Sequence, residues 1–215
     1  MENASKALIF AGTILISLMV ISALVFAYRD LTSVKRQETE NQKVEEIAEF
    51  NKSFESYEKD LNGTQMFSLA NKIADYNTKY VVNMNEGYEI ITLTVIVNGQ
   101  RKDETYFSDL QSEVDKMMNE KYISSNNLEA LKEAKENETN SDDKAKVKAS
   151  KILKELENKL GTPRYHRAYN EVNNDWNTYN SYRELKNKKF KSNGVEYYSN
   201  GRIKSMSYTH KIKEP

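Results

Sequence analysis

Two histidines, His166 and His210, are the chain's entire stock of imidazole, and it has no cysteine. A metal site needing three or more imidazoles cannot be built within one such chain, and thiolate metal sites, disulfides and cysteine nucleophiles are excluded together. His166 with Glu171 or Asp175 is a weak candidate cluster, for which solvated helix surface is the better reading. No serine stands in a Gly-x-Ser-x-Gly elbow, and the seven glycines form no phosphate-cradling loop. Ser141, Asp142 and Asp143 lack the glycine and the spaced ligands of a calcium loop. With 32 acidic residues, any one carboxylate pair is uninformative. Sequons at Asn51, Asn62 and Asn137 are the chance yield of an asparagine-rich chain. No catalytic, cofactor-binding or metal-ligating residue is assigned, and the expectation is a non-enzymatic protein without a cofactor.

Lys+Arg and Asp+Glu number 32 each. Zero net charge does not resist compaction, and it argues against a dedicated nucleic-acid binder. Mean hydropathy is −0.80, yet 14 Tyr, 7 Phe and one Trp supply large surfaces to bury, so the polar part is read as folded.

One stretch departs from this composition. Residues 7–28 carry no charge between Lys6 and Arg29. Ala7, Leu8, Ile9 and Phe10 open it. Gly12 is its one helix breaker, Ile14, Leu15, Leu18, Val20, Ile21, Leu24, Val25 and Phe26 fill it, and Tyr28 closes it. At about 1.5 Å per residue a helix of this length covers a hydrocarbon core of roughly 30 Å, and a helix satisfies its own backbone in lipid. The expectation is a single membrane span held as a signal-anchor. Val25 and Ala27 also offer a signal-peptide cleavage site, but the apolar run is long and Lys6 is the only positive side chain before it. A type IV prepilin has the same shape, but its leader glycine and fifth-position glutamate are not in place here. Arg29, Lys35, Arg36 and Lys43 favour a cytoplasmic carboxyl domain by the positive-inside tendency. Against that, long domains translocate largely regardless of charge. An outward domain is the reading adopted.

In residues 31–61, Val44, Ile47, Ala48, Phe54, Tyr57 and Leu61 recur mostly at steps of three and four. This predicts a stalk helix over 29–61 whose upper face packs on the domain, with a filament contact as the alternative. Asn62-Gly63 reads as a helix stop, with Thr64 capping a helix over 65–77. Residues 88–97 alternate as a strand, Asn98-Gly99 predicts a type I′ hairpin, and a return strand runs over 101–107. Ser108 and Gln111 read as a capping box, opening a helix that buries Leu110, Val114 and Met117. Next come a charged helix from Leu128, a linker over 136–143, a helix with Ala149, Leu153, Leu156 and Leu160 on one face, and a helix with Tyr165, Tyr169, Val172, Trp176 and Tyr179. Strands over 190–198 and 202–212 flank Ser199-Asn200-Gly201, and Asn193-Gly194 predicts a bulge. The aromatic face is read as core.

The blocks MENASKALIFAGTILIS, FNKSFESYEKDLNGTQMFSLANKI and YYSNGRIKSMSY resemble a family of small single-span membrane proteins of Gram-positive bacteria that has no established activity. The resemblance implies an amino-terminal membrane helix, a Gly-(Ser/Thr)-Gln turn into a second helix, and a small sheet ending in a Gly-aromatic-or-Arg-Ile strand. It covers less than half of the chain, and residues 124–187 depart from it as an insertion.

The fold expected is α+β. Residues 1–28 form a transmembrane signal-anchor, 29–61 a stalk helix, 62–123 and 188–215 a small antiparallel sheet module with helices, and 124–187 a helical insertion. The function expected is a structural or assembly subunit of the bacterial envelope, pilin-like in shape only. The alternative is an anchored module presenting the insertion to a protein or ligand. Expected partners are membrane lipid, further copies of the chain or other envelope proteins, and no nucleic acid.

Overall fold

The computed structural model describes residues 2–82 and 89–210, which divide into two compact units, Met1–Ser53 and Phe54–Pro215. The fold is α+β.

The first unit is one helix, α1 (Glu2–Lys52), 51 residues long. No proline interrupts it, and two hydroxyls in its apolar part turn back onto its own backbone. Thr13 Oγ1 donates to the Phe10 carbonyl and Ser17 Oγ to the Thr13 carbonyl, each at 2.8 Å. The helix expected to reach Leu61 stops at Lys52. The reason lies in the next unit, where Phe54 is 1% exposed, with Lys72 Nζ 4.2 Å from its ring centre. A short 3-10 turn (Glu55–Tyr57) follows.

The second unit is built on strands β1 (Leu61–Asn62), β2 (Thr92–Val97), β3 (Gln100–Lys102), β4 (Lys189–Tyr197) and β5 (Ile203–His210). Among the described residues they make one sheet in the order β1-β4-β5-β2-β3. Both hairpins are antiparallel. They join through a parallel β2–β5 pair, Leu93 opposite Met206 and Val95 opposite Tyr208, so the sheet is mixed where an antiparallel one was expected. Parallel neighbours need a long crossover. Here the chain supplies it with helices α3 (Glu104–Met117), α4 (Ser125–Asn137), α5 (Asp143–Leu160) and α6 (Thr162–Lys186) between the two strands. The predicted strand starts at residue 88, outside the described residues, as do the last two positions predicted for 202–212. The return strand predicted over 101–107 is only β3, because Asp103 turns the chain and accepts from the Tyr106 amide at 2.9 Å as the N-cap of α3. That helix therefore begins before Ser108, whose hydroxyl bonds back to the Thr105 carbonyl instead. Asn98 and Gly99 both have positive φ, 50° and 79°, as the type I′ reading requires. The bulge falls at Asn193, where Gly194 adopts φ 122°.

Helix α2 (Gly63–Tyr76) supplies the first helical cover of the sheet, with Met66, Leu69, Ala70 and Ile73 fully buried. Phe67, Phe107 and Phe190 pack edge to face, with centroids 5.3 and 6.4 Å apart. Asn62 and Gly63 start this helix rather than stop one. Asn62 Oδ1 accepts the Gln65 amide at 2.9 Å while Gln65 Oε1 accepts the Asn62 amide at 3.0 Å, a reciprocal capping box. A Cβ on Gly63 would lie 2.1 Å from the Leu185 carbonyl oxygen. Close backbone approach, not a left-handed turn, demands the glycine. Because β3 is short, the open half of β2 meets side chains. Asn77 bonds both the amide and the carbonyl of Ile91 (3.0 and 2.8 Å), and Glu104 accepts the Leu93 amide at 3.1 Å, which closes an edge that would otherwise invite another strand.

The helical segment has its own core, where Val114 and Met117 meet Tyr122, Leu128, Leu131, Leu153, Leu156 and Val172. The stripes predicted for α5 and α6 face this core. Tyr169, Trp176 and Tyr179 line it only half-buried.

Candidate functional site

The expected span residues lie on α1 with their side chains out. Leu8 is 78% and Phe26 74% exposed, and nothing lies within 4 Å of where a Gly12 Cβ would stand. The most apolar eighteen-residue window of this helix has a mean hydropathy of 2.6 and no buried share. The helix is therefore long and apolar enough to cross a membrane.

The polar cluster of most interest arises where α3 ends. Residues Met118–Tyr122 form a π-helical turn, and Ile123 leaves it at φ 66°, ψ −35°. A β-branched residue at positive φ is a true outlier, and π turns and such strain tend to gather at functional positions. The widened turn directs Lys121 and Tyr122 onto α6. There Glu171 and Asp175, four residues apart, share a helix face. Lys121 Nζ donates to Asp175 Oδ2 at 2.8 Å and Oδ1 at 3.0 Å, and also to Glu171. The Tyr122 hydroxyl donates to Asp175 Oδ2 at 2.7 Å and approaches the Ala168 carbonyl at 3.2 Å. Asn127, buried in α4, donates to the Tyr122 carbonyl at 2.6 Å, and Lys159 of α5 donates to Asn127 Oδ1 at 2.9 Å. One hydrogen-bonded chain thus crosses α5, α4, the turn and α6.

Electrostatics fixes the protonation states. Burial alone would lower the Lys121 ammonium, but hydrogen bonds to Asp175 and Glu171 outweigh it and raise it above 10.5. The Glu171 carboxyl is held below 4.5 by its bond to Lys121. Burial, reinforced by the Asp175 carboxylate, pushes the Tyr122 phenol far above its usual range. A permanently charged lysine is a poor nucleophile, and a phenol this hard to ionise is a poor base. Both Asp175 oxygens are taken. The arrangement is suited to locking helices together rather than to moving protons.

His166 does not join Glu171 and Asp175; Lys121 takes that place, and His166 is exposed on α6. His210 lies on β5 with its ring 6.1 Å from that of Phe190. Among the described residues no group of three or more His, Cys, Asp or Glu could hold a metal ion. Asp142 caps α5 through the Lys144 amide at 3.0 Å. A second aromatic contact joins α4 to α6, where Tyr169 donates to Glu138 and is pushed up to about 12, chiefly by that bond. Sequence reasoning named Glu171 and Asp175 only beside His166, preferring solvated surface, and missed Lys121, Tyr122 and Asn127, because a π turn rotates everything after it off the regular helical register. Comparison of the chain with known protein families, with curated proteins and with solved structures finds no match.

Proposed function

We propose that this chain is a membrane-anchored, non-enzymatic envelope protein of a Gram-positive bacterium, in which α1 is a single-pass signal-anchor and the second unit stands outside the cytoplasm as a structural or assembly subunit. The observation that carries this reading is the contrast along α1. Its first part exposes leucine, isoleucine and phenylalanine, while its last part, after Arg29, is mostly charged and amide side chains. Exposure of each large apolar side chain to water costs about 1.5–3 kcal/mol, so a run of them is stable only in an apolar medium. The order of the chain, an apolar helix followed by a compact α+β unit, supports an assembly role.

The test is digestion of intact cells by an external protease with a carboxyl-terminal tag as reporter and a cytoplasmic protein as control. Loss of the tag is expected; protection until lysis would place the unit in the cytoplasm and defeat the envelope role. Self-association through the span predicts that Gly12→Leu or Ala11→Leu weakens cross-linked oligomers in detergent. An unchanged ladder would instead favour a monomeric anchored module presenting its helical segment to a partner.

A further inference from the structure

The charges of the chain cancel overall, yet they are not evenly spread. From Asp143 to Arg167 eight lysines and arginines stand against three acids. Most of this excess lies on α5. Its inner face, Ala149, Leu153, Leu156 and Leu160, is buried in the helical core. Lys144, Lys148, Lys151 and Lys154 recur on the outward face at the spacing of helical neighbours, all exposed. Among them stands Val147, 71% exposed, in a shallow depression lined with Asp143, Lys144, Lys148 and Lys151. The acids near this face answer it only partly. Asp143 is 3.7 Å from Lys146, Glu133 is 3.8 Å from Lys148 across from α4, and Glu155 shares the outward face. Neither of those pairs is a close contact, and Lys148 remains 72% exposed.

We infer that the outward face of α5 docks on the headgroups of an anionic bilayer, its lysines meeting lipid phosphates and Val147 entering the interface. Charge complementarity selects the partner class, and the exposed valine selects a surface with an apolar layer beneath it over a soluble polyanion. Clustered lysines are drawn to an anionic leaflet by its surface potential in this manner. The inference rests on the membrane anchoring proposed above, which would keep such a surface at high effective concentration.

The full-length chain is reconstituted in nanodiscs of neutral phosphatidylcholine, with incorporation checked by size exclusion, and mixed with vesicles of phosphatidylcholine alone or with equimolar phosphatidylglycerol. Co-flotation only with the anionic vesicles is expected, and it should disappear in 1 M salt, where the Debye length falls to about 3 Å. Each lysine at an anionic surface contributes about fivefold to partitioning, so K144Q/K148Q/K151Q/K154Q should weaken it about 600-fold with the helical circular dichroism unchanged. Glutamine is a good helix former, so loss of fold is not the expected cause. Flotation with both vesicle types, flotation unaffected by the four substitutions, or binding to soluble polyphosphate without any to vesicles would each overturn the inference. Failure to enter the nanodisc would contradict the anchor, and the lipid docking with it; failure to float after entry would contradict the lysine face alone.

Discussion

The same residue types lead opposite lives in the two units. Leu8 and Phe26 on α1 are 78% and 74% exposed, whereas Leu69 and Phe107 in the second unit are 0% exposed. Alternation explains the second case. In α2 and β2 apolar residues recur on one face, so a sheet and a helix can hide them against each other. Residues 7–28 have no polar face to turn outward, so no folding partner of ordinary shape can cover them. What covers α1 must surround it, as the bilayer proposed here would.

An acidic substitution breaks this comparison most sharply. Leu69→Asp buries an unpaired charge and should unfold the second unit, a loss of several kcal/mol seen as a missing thermal transition. Leu15→Asp should leave that transition untouched and cost about 3 kcal/mol of membrane insertion, read as chain lost from the membrane fraction. Equal effects of the two on the transition would mean that α1 belongs to the folded core.

Within the second unit Gly63→Ala comes next. A methyl forced against the Leu185 and Lys186 backbone has no flexible neighbour to displace, and a loss of about 3 kcal/mol in denaturant unfolding is expected. A tolerated alanine would show that α2 and the end of α6 can part.

The network around Lys121 should count for somewhat less. Lys121→Met leaves Asp175, 14% exposed, without its ammonium partner, and should cost about 2 kcal/mol. The pH dependence carries a sign. Glu171 has its folded pKa lowered from 4.5, so its contribution is full above that value and is lost as pH falls through the folded pKa. Lys121 and Tyr122 are raised from 10.5 and 10.0, so theirs is full below those values and is lost as pH rises. Chemical denaturation across pH should therefore show falling stability at both extremes, with both limbs shallower in Lys121→Met. Parallel curves would place the network outside the stability of this unit.

The smallest effect has the opposite direction. Ile123 is 53% exposed and held at φ 66°, so Ile123→Gly loses little burial and relieves the backbone, raising stability by about 1 kcal/mol. A loss instead would show that the side chain has a packing role there.

Much of this fold is legible in the residues. The apolar run of α1, the stripes of α2, α5 and α6, the alternation of β2 and the Asn98-Gly99 turn are all periodic or local signals, and each corresponds to an observed element. What escaped depends on contacts distant in sequence. Gly63 reads as a helix stop because the chain that crowds it lies at Leu185 and Lys186. The parallel β2–β5 pair is set by the path of four intervening helices, and the end of α1 at Lys52 by the burial of Phe54. The Lys121 cluster escaped too, since Glu171 and Asp175 read as solvated surface beside His166, and the lysine reaches them only through an irregular turn.

Because the chain has no cysteine, single cysteines report position cleanly, and labelling of native membranes with a water-soluble thiol reagent tests the proposed membrane span of α1 most directly. A cysteine at Leu15 should stay unlabelled until detergent is added, since a thiol in lipid does not form its reactive thiolate, while a cysteine at Gln42 on the same helix should react at once. Equal labelling at both positions in intact membranes would contradict a membrane-spanning α1.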